Sequence, residues 1–288
     1  MGRNVLMAVG AHADDIELSF AGTMVKYHEK HHYEIVYIQS TNNMSGQWST
    51  IDADGLRHVR EVPWYEMMPQ RKLEAGNSAR KCFHTEAIHL DHPQRHYTNR
   101  DLKRVELRYG CPLPGCVAPD TPSILTAHED AASVDNLAKL ILEKDPEVIL
   151  THPPADYTDE HTCTNMLVKK AFLNARKDGF DGSLVFYAVP PYLGYGAFYE
   201  RWDSFIDTTG FHEKKLDAIA CHACQMPDKN KVKLFDYERG ERCGCKTAEA
   251  FTICELSESR KGELSKELAE NHKFCLENWQ KMIFSHKI

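Results

Sequence analysis

The sequence has no apolar stretch long enough for a membrane span or a signal peptide: the N-terminal run is about seven residues long before it meets carboxylates. Positive charge is not in excess either. Lys and Arg number 35 against 42 Asp and Glu, a formal charge of −7, which removes any general attraction to nucleic acid or anionic lipid. Internal repeats and low-complexity tracts are missing, and the CxxC spacing of zinc knots occurs only at Cys221 and Cys224. Ten cysteines without a secretory signal read as reduced thiols. A soluble, cytoplasmic protein without membrane insertion is expected, and a homo-oligomer is left open.

What is present is a succession of short continuous apolar runs, at residues 4–10, 34–40, 86–90, 147–151 and 183–189. Continuity, as opposed to alternation, marks strands covered on both faces, as in a parallel sheet. Helical periodicity lies between them: Ile16, Phe20, Met24 and Tyr27 share one face, as do Val134, Leu137, Ala138, Ile141 and Leu142, and Met166, Val168, Phe172 and Leu173. Strands alternating with helices predict an α/β Rossmann-like, doubly wound, mostly parallel sheet with helices on both faces. At 288 residues, one domain is expected. Residues 91–123 show little periodicity and read as a long loop insertion, and residues 259–284 as a charged amphipathic C-terminal helix. A helix starting at His212 and a strand at Glu249 complete the reading.

The chemistry collects at two strand ends. In "NVLMAVGAHADDIELSFAG" the first apolar run leads into His12, Asp14 and Asp15, and in "ILTHPPADYTDEHTCT" the fourth leads into His152, Asp156, Asp159 and His161. Ligands of open α/β sheets gather outside the carboxyl ends of strands. An imidazole and a carboxylate in one turn supply two metal ligands and leave a second carboxylate free as a base. One of the two aspartates could instead serve as an N-cap for the following helix.

Both clusters together resemble the LmbE-like/PIG-L family of zinc-dependent de-N-acetylases. The first motif stands here as Ala11-His12-Ala13-Asp14-Asp15-Ile16-Glu17, followed by Ala21-Gly22-Thr23, and the second as Asp156-Tyr157-Thr158-Asp159-Glu160-His161. "RKLEA" with Arg71 and Glu74, "FIDTTGFHEKKLDAIACHACQ" and "AEAF" at 248–251 follow in order. The resemblance implies zinc held by His12, Asp15 and His161, with Asp14 as the general base that activates a metal-bound water. It implies removal of an acyl group, acetyl first, from an N-acylated amino sugar or related small amine. A site of two His and one carboxylate also accepts Fe²⁺ or other divalent ions.

Two departures stand out. Thr158 occupies the place where many members carry a His that stabilises the oxyanion, so either the zinc suffices or another group such as His152, His222 or Tyr157 assists. "DHPQRHY" from Asp91 replaces a P-D-G segment that binds sugar hydroxyls in the family. Arg71 and Asp156 are further candidate substrate contacts. "NNMSGQW" from Asn42 and the aromatic "PPYLGYGAFYERW" from Pro190 are candidate walls of the site. The alternatives are a cysteine-dependent hydrolase using Cys163 or Cys224, and a metal- or ligand-binding protein without turnover.

Overall fold

The computed structural model describes residues 4–107, 121–188, 202–225 and 229–283. The chain runs through β1 (Val5–Gly10), α1 (Asp15–His31), β2 (Glu34–Thr41), β3 (Trp48–Ile51), β4 (Arg57–Arg60), α2 (Trp64–Phe83) and β5 (Ala87–His92). Next come β6 (His96–Thr98), β7 (Arg104–Glu106), α3 (Ile124–Ala127), α4 (Ala131–Lys144), β8 (Val148–Thr151), α5 (Asp159–Lys177) and β9 (Ser183–Tyr187). It ends with β10 (Ser204–Asp207), α6 (His212–Ile219), α7 (Lys229–Cys243), β11 (Ala248–Glu255) and α8 (Glu263–Ile283).

Seven strands form the central sheet in the order β10-β11-β9-β8-β1-β2-β5. The five from β9 to β5 are parallel, and β11 and β10 continue the sheet as an antiparallel edge. From β1 the chain winds outward through β2 and β5, then crosses back to β8 on the opposite side of β1. The order therefore reverses between β1 and β8, which opens a crevice at their carboxyl ends.

The continuous apolar runs have the expected cause. Leu6 and Ala8 of β1 face a core shared with Ile16, Phe20 and Met24 of α1, Ala75 and Ala79 of α2, and Leu264 and Leu268 of α8. Val5, Met7 and Val9 face the other core, with Val134, Leu137 and Ile141 of α4 and Leu167, Val168 and Phe172 of α5. Each face of the strand is thus buried. The predicted stripe on α5 is rotated, because Met166 and Leu173 stand in solvent while Leu167 and Ala171 join Val168 and Phe172 inside. Gly10 lets α1 approach the end of β1, where a Cβ would come within 2.9 Å of Ile16.

Residues 91–123 are not loop throughout. β6 and β7 form an antiparallel hairpin there, with pairs His96–Glu106 and Thr98–Arg104. The helix expected from His212 to Gln225 ends at Ile219. Cys111, Cys116 and residues 190–201 of the aromatic segment lie outside the described residues. No helix among those described is long and apolar enough to cross a membrane.

The later matched segments meet at one internal staple. Glu249 on β11 accepts hydrogen bonds from Gly22 N and from Thr23 N and Oγ1 of α1, at 2.9, 2.8 and 2.6 Å. Fully buried Lys215 of α6 reaches Glu249 at 2.8 Å and Asp236 of α7 at 2.9 Å. Gly22 again permits the close approach, since a Cβ there would come within 2.9 Å of Thr208. These residues bind helices to the antiparallel edge of the sheet and lie outside the cleft described below.

Candidate metal centre and catalytic cleft

The turn after β1 is fixed from several sides. Ala11 N donates to His152 Nε2 at 2.8 Å, Thr41 Oγ1 donates to Ala11 O at 2.7 Å, and Ala13 N donates to Asn43 Oδ1 at 2.7 Å. Arg71 donates to Ala13 O at 2.6 Å and to Ser45 O at 2.7 Å. Asp14, held in this frame, has φ 107°, a left-handed conformation that is strained for a residue with a Cβ. Its side chain makes no capping hydrogen bond, so the N-cap alternative does not describe it.

Asp15, the first residue of α1, folds back so that Oδ2 accepts from His12 N at 2.6 Å. From the second strand end, Thr158 caps α5 by accepting from His161 N, which sets His161 in the first helical turn. His12 Nδ1 then lies 3.1 Å from His161 Nε2, His12 Nδ1 lies 3.3 Å from Asp15 Oδ2, and His161 Nε2 lies 3.3 Å from Asp15 Oδ1. Ligands about 2.0–2.1 Å from a tetrahedral ion stand roughly 3.3–3.4 Å apart, so the two imidazole nitrogens and the Asp15 carboxylate fit one divalent metal.

The remaining nitrogen of each imidazole faces a carboxylate. His12 Nε2 is 2.7 Å from Glu160 Oε2, and His161 Nδ1 is 3.2 Å from Asp156 Oδ2. Carboxylates in that position orient metal-ligating rings and fix their tautomers. Burial disfavours protonation of both rings, but Asp15 and Glu160 outweigh it at His12, and Asp15 and Asp156 lift His161 to about 10. Burial likewise opposes ionisation of Glu160, yet His12 draws it down to about 2. Without a cation the pocket stabilises positive charge on two facing rings, and a bound metal supplies that charge without their repulsion.

A second trio, His152, Asp156 and His161, also has donor atoms close together. His152 and Asp156 have fully buried side chains, however, and His152 Nε2 already takes the Ala11 amide. Only the first trio opens to a cleft. That cleft, about 780 Å³, is lined by His12, Asp14, Asp15, Arg71, Tyr157 and Thr158 among others. Burial pushes the Asp14 carboxyl up to about 6 although Arg71, with Nη2 3.3 Å away, works to lower it. A base near neutrality beside a metal position is thus available.

The other predicted contacts divide. Arg71 and Tyr157 line the cleft, and the Tyr157 ring meets His161 edge-on at 4.8 Å. His152 and Asp156 stand behind it, joined through Tyr187, whose hydroxyl donates to Asp156 at 2.5 Å and lies 3.1 Å from His152 Nδ1. His222 does not reach the cleft. It is fully buried against Glu17 at 3.1 Å, and Tyr37 donates to the same carboxylate at 3.0 Å. Ser45, Gly46 and Gln47 of the "NNMSGQW" segment do form a wall.

Glu160 and Tyr187 are site residues to which the sequence assigns no role. Glu160 stood inside the second motif and was legible as the residue before a ligand. Tyr187 had only its polar tip at the end of an apolar strand as a signal.

Neither nominated cysteine has a catalytic partner among the described residues. Buried Cys163 points at Leu125 O and burial pushes its thiol up to about 11; Cys224 donates to Glu74 and burial raises it to about 12. Cys221 differs, because a hydrogen bond from Cys82 lowers it to about 7. Alkylation at pH 7.5 is therefore expected to label Cys221 before Cys163 or Cys224, as peptide mapping by mass spectrometry would reveal.

A family model described as GlcNAc-PI de-N-acetylase (PIG-L) matches residues 7–172, a span that holds His12, Asp14, Asp15, Arg71, Asp156 and His161. None of the curated proteins matches significantly. Among solved structures, the 4-carboxy-2-hydroxymuconate hydratase of Pseudomonas putida superposes with a TM-score of 0.63 at 17% identity, covering 88% of this chain and 96% of that one. The N,N'-diacetylchitobiose deacetylase of Pyrococcus horikoshii gives 0.60 at 18%, covering 87% and 83%. A deacetylase of teicoplanin biosynthesis gives 0.56 at 14%, covering 88% and 100%. A hydratase and deacetylases share the fold, so the reaction has to be argued from the site.

Proposed function

The chain belongs to the PIG-L family of de-N-acetylases, and from that premise we propose that it is a zinc-dependent amidohydrolase that removes an acyl group, acetyl first, from a small N-acylated amine such as an amino sugar. The observation that carries this reading is the trio His12, Asp15 and His161, with mutual distances of 3.1–3.3 Å, opening on a cleft that Asp14 also lines. His12, Asp15 and His161 hold the metal, while Glu160 and Asp156 orient the two rings. A divalent metal bound there polarises the amide carbonyl and makes water a nucleophile near neutral pH.

Asp14 accepts the proton of the attacking water and delivers it to the departing amine nitrogen. Arg71 keeps that carboxylate in place and holds the turn through Ala13 O. Thr158 Oγ1 accepts from His161 N in capping α5. Of the three groups that could assist at the oxyanion, only Tyr157 reaches the cleft, and the proposal gives it that role. A cytoplasmic location completes the reading.

Elemental analysis of the purified protein is expected to give close to one zinc per chain. Dialysis against a chelator should abolish hydrolysis of N-acetylated amines and added Zn²⁺ should restore it, whereas thiol alkylation should leave it in place. Activity that survives chelation but not alkylation would return the cysteine alternative. Reconstitution with Fe²⁺ giving the higher turnover would reassign the metal without moving the site.

A further inference from the structure

We propose that the outer half of the cleft is an anion-binding subsite, so that the acylated amine this protein acts on carries a carboxylate or phosphate group away from its amide; the inference rests on the deacetylase reading above. It starts from hydrogen-bond accounting. Three buried nitrogens along the cleft have no partner: Arg71 Nε, Arg95 Nε and His96 Nδ1. Among the described residues that line it, no buried oxygen is left in the same state. Buried donors without acceptors are costly, and two guanidinium groups whose Nε–H is unmet, Arg71 and Arg95, line the cleft, which a ligand rich in oxygen acceptors matches.

Charge points the same way. Arg95, His96 and Arg104 belong to the segment that forms the β6–β7 hairpin, and all three line the cleft. Ser45 Oγ lies 2.7 Å from His96 Nε2, which ties the ring to the wall formed by the segment after β2. Burial, and then Arg104, disfavours protonation of His96. Arg95 pairs with Asp159 at 3.2 Å and Arg104 with Glu106 at 2.7 Å, but both carboxylates are more than half exposed. Such pairs are weak and leave each guanidinium able to take a better acceptor. Glu61, held by Thr98 Oγ1 at 3.2 Å, is the only described carboxylate lining the cleft outside the metal centre.

The hairpin is also anchored to the reacting centre. Arg95 N donates to Glu160 Oε1 at 2.7 Å, and Glu160 Oε2 is the partner of His12. One carboxylate thus sets both the imidazole that holds the metal and the start of the segment that carries the arginines.

The test compares N-acetylglucosamine with N-acetylglucosamine 6-phosphate and with N-acetylmuramic acid, one arm for phosphate and one for carboxylate. At least one charged compound is expected to exceed the neutral sugar in kcat/KM by about tenfold or more, and Arg95→Gln and Arg104→Gln each lower that ratio by about tenfold. Raising the salt should lower it as well. Hydrolysis of all three with equal kcat/KM, unaltered in ratio by either substitution, overturns the subsite and leaves the deacetylase reading intact. Hydrolysis of none by the zinc-loaded protein removes that reading, and calorimetry then decides the subsite alone. N-acetylglucosamine 6-phosphate must bind the wild-type protein about tenfold more tightly than the Arg95→Gln/Arg104→Gln variant, and equal or absent binding overturns it.

Discussion

Asp14→Asn is expected to retain close to one metal per chain while hydrolysis falls about 10²- to 10⁴-fold, the usual contribution of a positioned general base. His161→Ala is expected to lose both metal and activity. The contrast follows from geometry: His161 supplies one corner of the trio, whereas Asp14 is anchored by Arg71 and belongs to neither candidate metal group among the described residues. Asparagine keeps the acceptor oxygen for Arg71 but cannot take a proton. The pH profile carries the same information. A base acts ionised, so kcat/KM should fall as pH drops through the Asp14 pKa, at or below about 6 because a bound cation favours the carboxylate. Turnover surviving in Asp14→Asn, or metal lost from it, would take the base role away from Asp14.

Lys215→Met should destabilise the protein by about 3–5 kcal/mol, the cost of leaving a buried charge without its partner. The ammonium lies between Asp236 and Glu249 with no exposed surface, and burial disfavours its charge while those two carboxylates restore it. Glu249 meanwhile holds the amides of Gly22 and Thr23 in α1, the helix that begins with Asp15. Denaturant unfolding measures the loss, and the double variant Lys215→Met/Glu249→Gln should recover part of it by removing one of the stranded charges. A loss below about 1 kcal/mol, with no recovery in the double variant, would mean that the staple adds little.

The parallel strands were legible because burial on both faces leaves an unbroken apolar run, which β1, β2 and β8 display. The candidate metal ligands were legible because they follow such runs, His12 and Asp15 in the turn after β1 and His161 in the first turn of the helix after β8, with residue types that apolar cores do not require. Other elements left no trace of that kind. β6 and β7 are half or fully exposed and carry no apolar alternation. α7 buries Val232, Asp236, Arg239, Gly240 and Cys243, too mixed a set to read as a stripe. His152 and His222 look like site residues by type and position, yet His152 accepts a buried hydrogen bond from Ala11 N and His222 is buried in a pair with Glu17. Pairings of that sort arise between segments far apart in sequence, where no local pattern announces them.

The reversal of strand order between β1 and β8 also has a temporal side. β1 pairs with β8 in a register that matches Leu6 to Val148, and the last metal ligand, His161, follows thirteen residues after that partner. Contacts this distant in the chain form late, because the intervening segment has to be ordered first. A growing polypeptide cannot assemble the trio until its second half has emerged and docked. With the trio holding a metal as proposed, capture of the ion would be a sign that the central sheet has closed, and the bound metal would lock together the two halves of the winding that the reversal keeps apart.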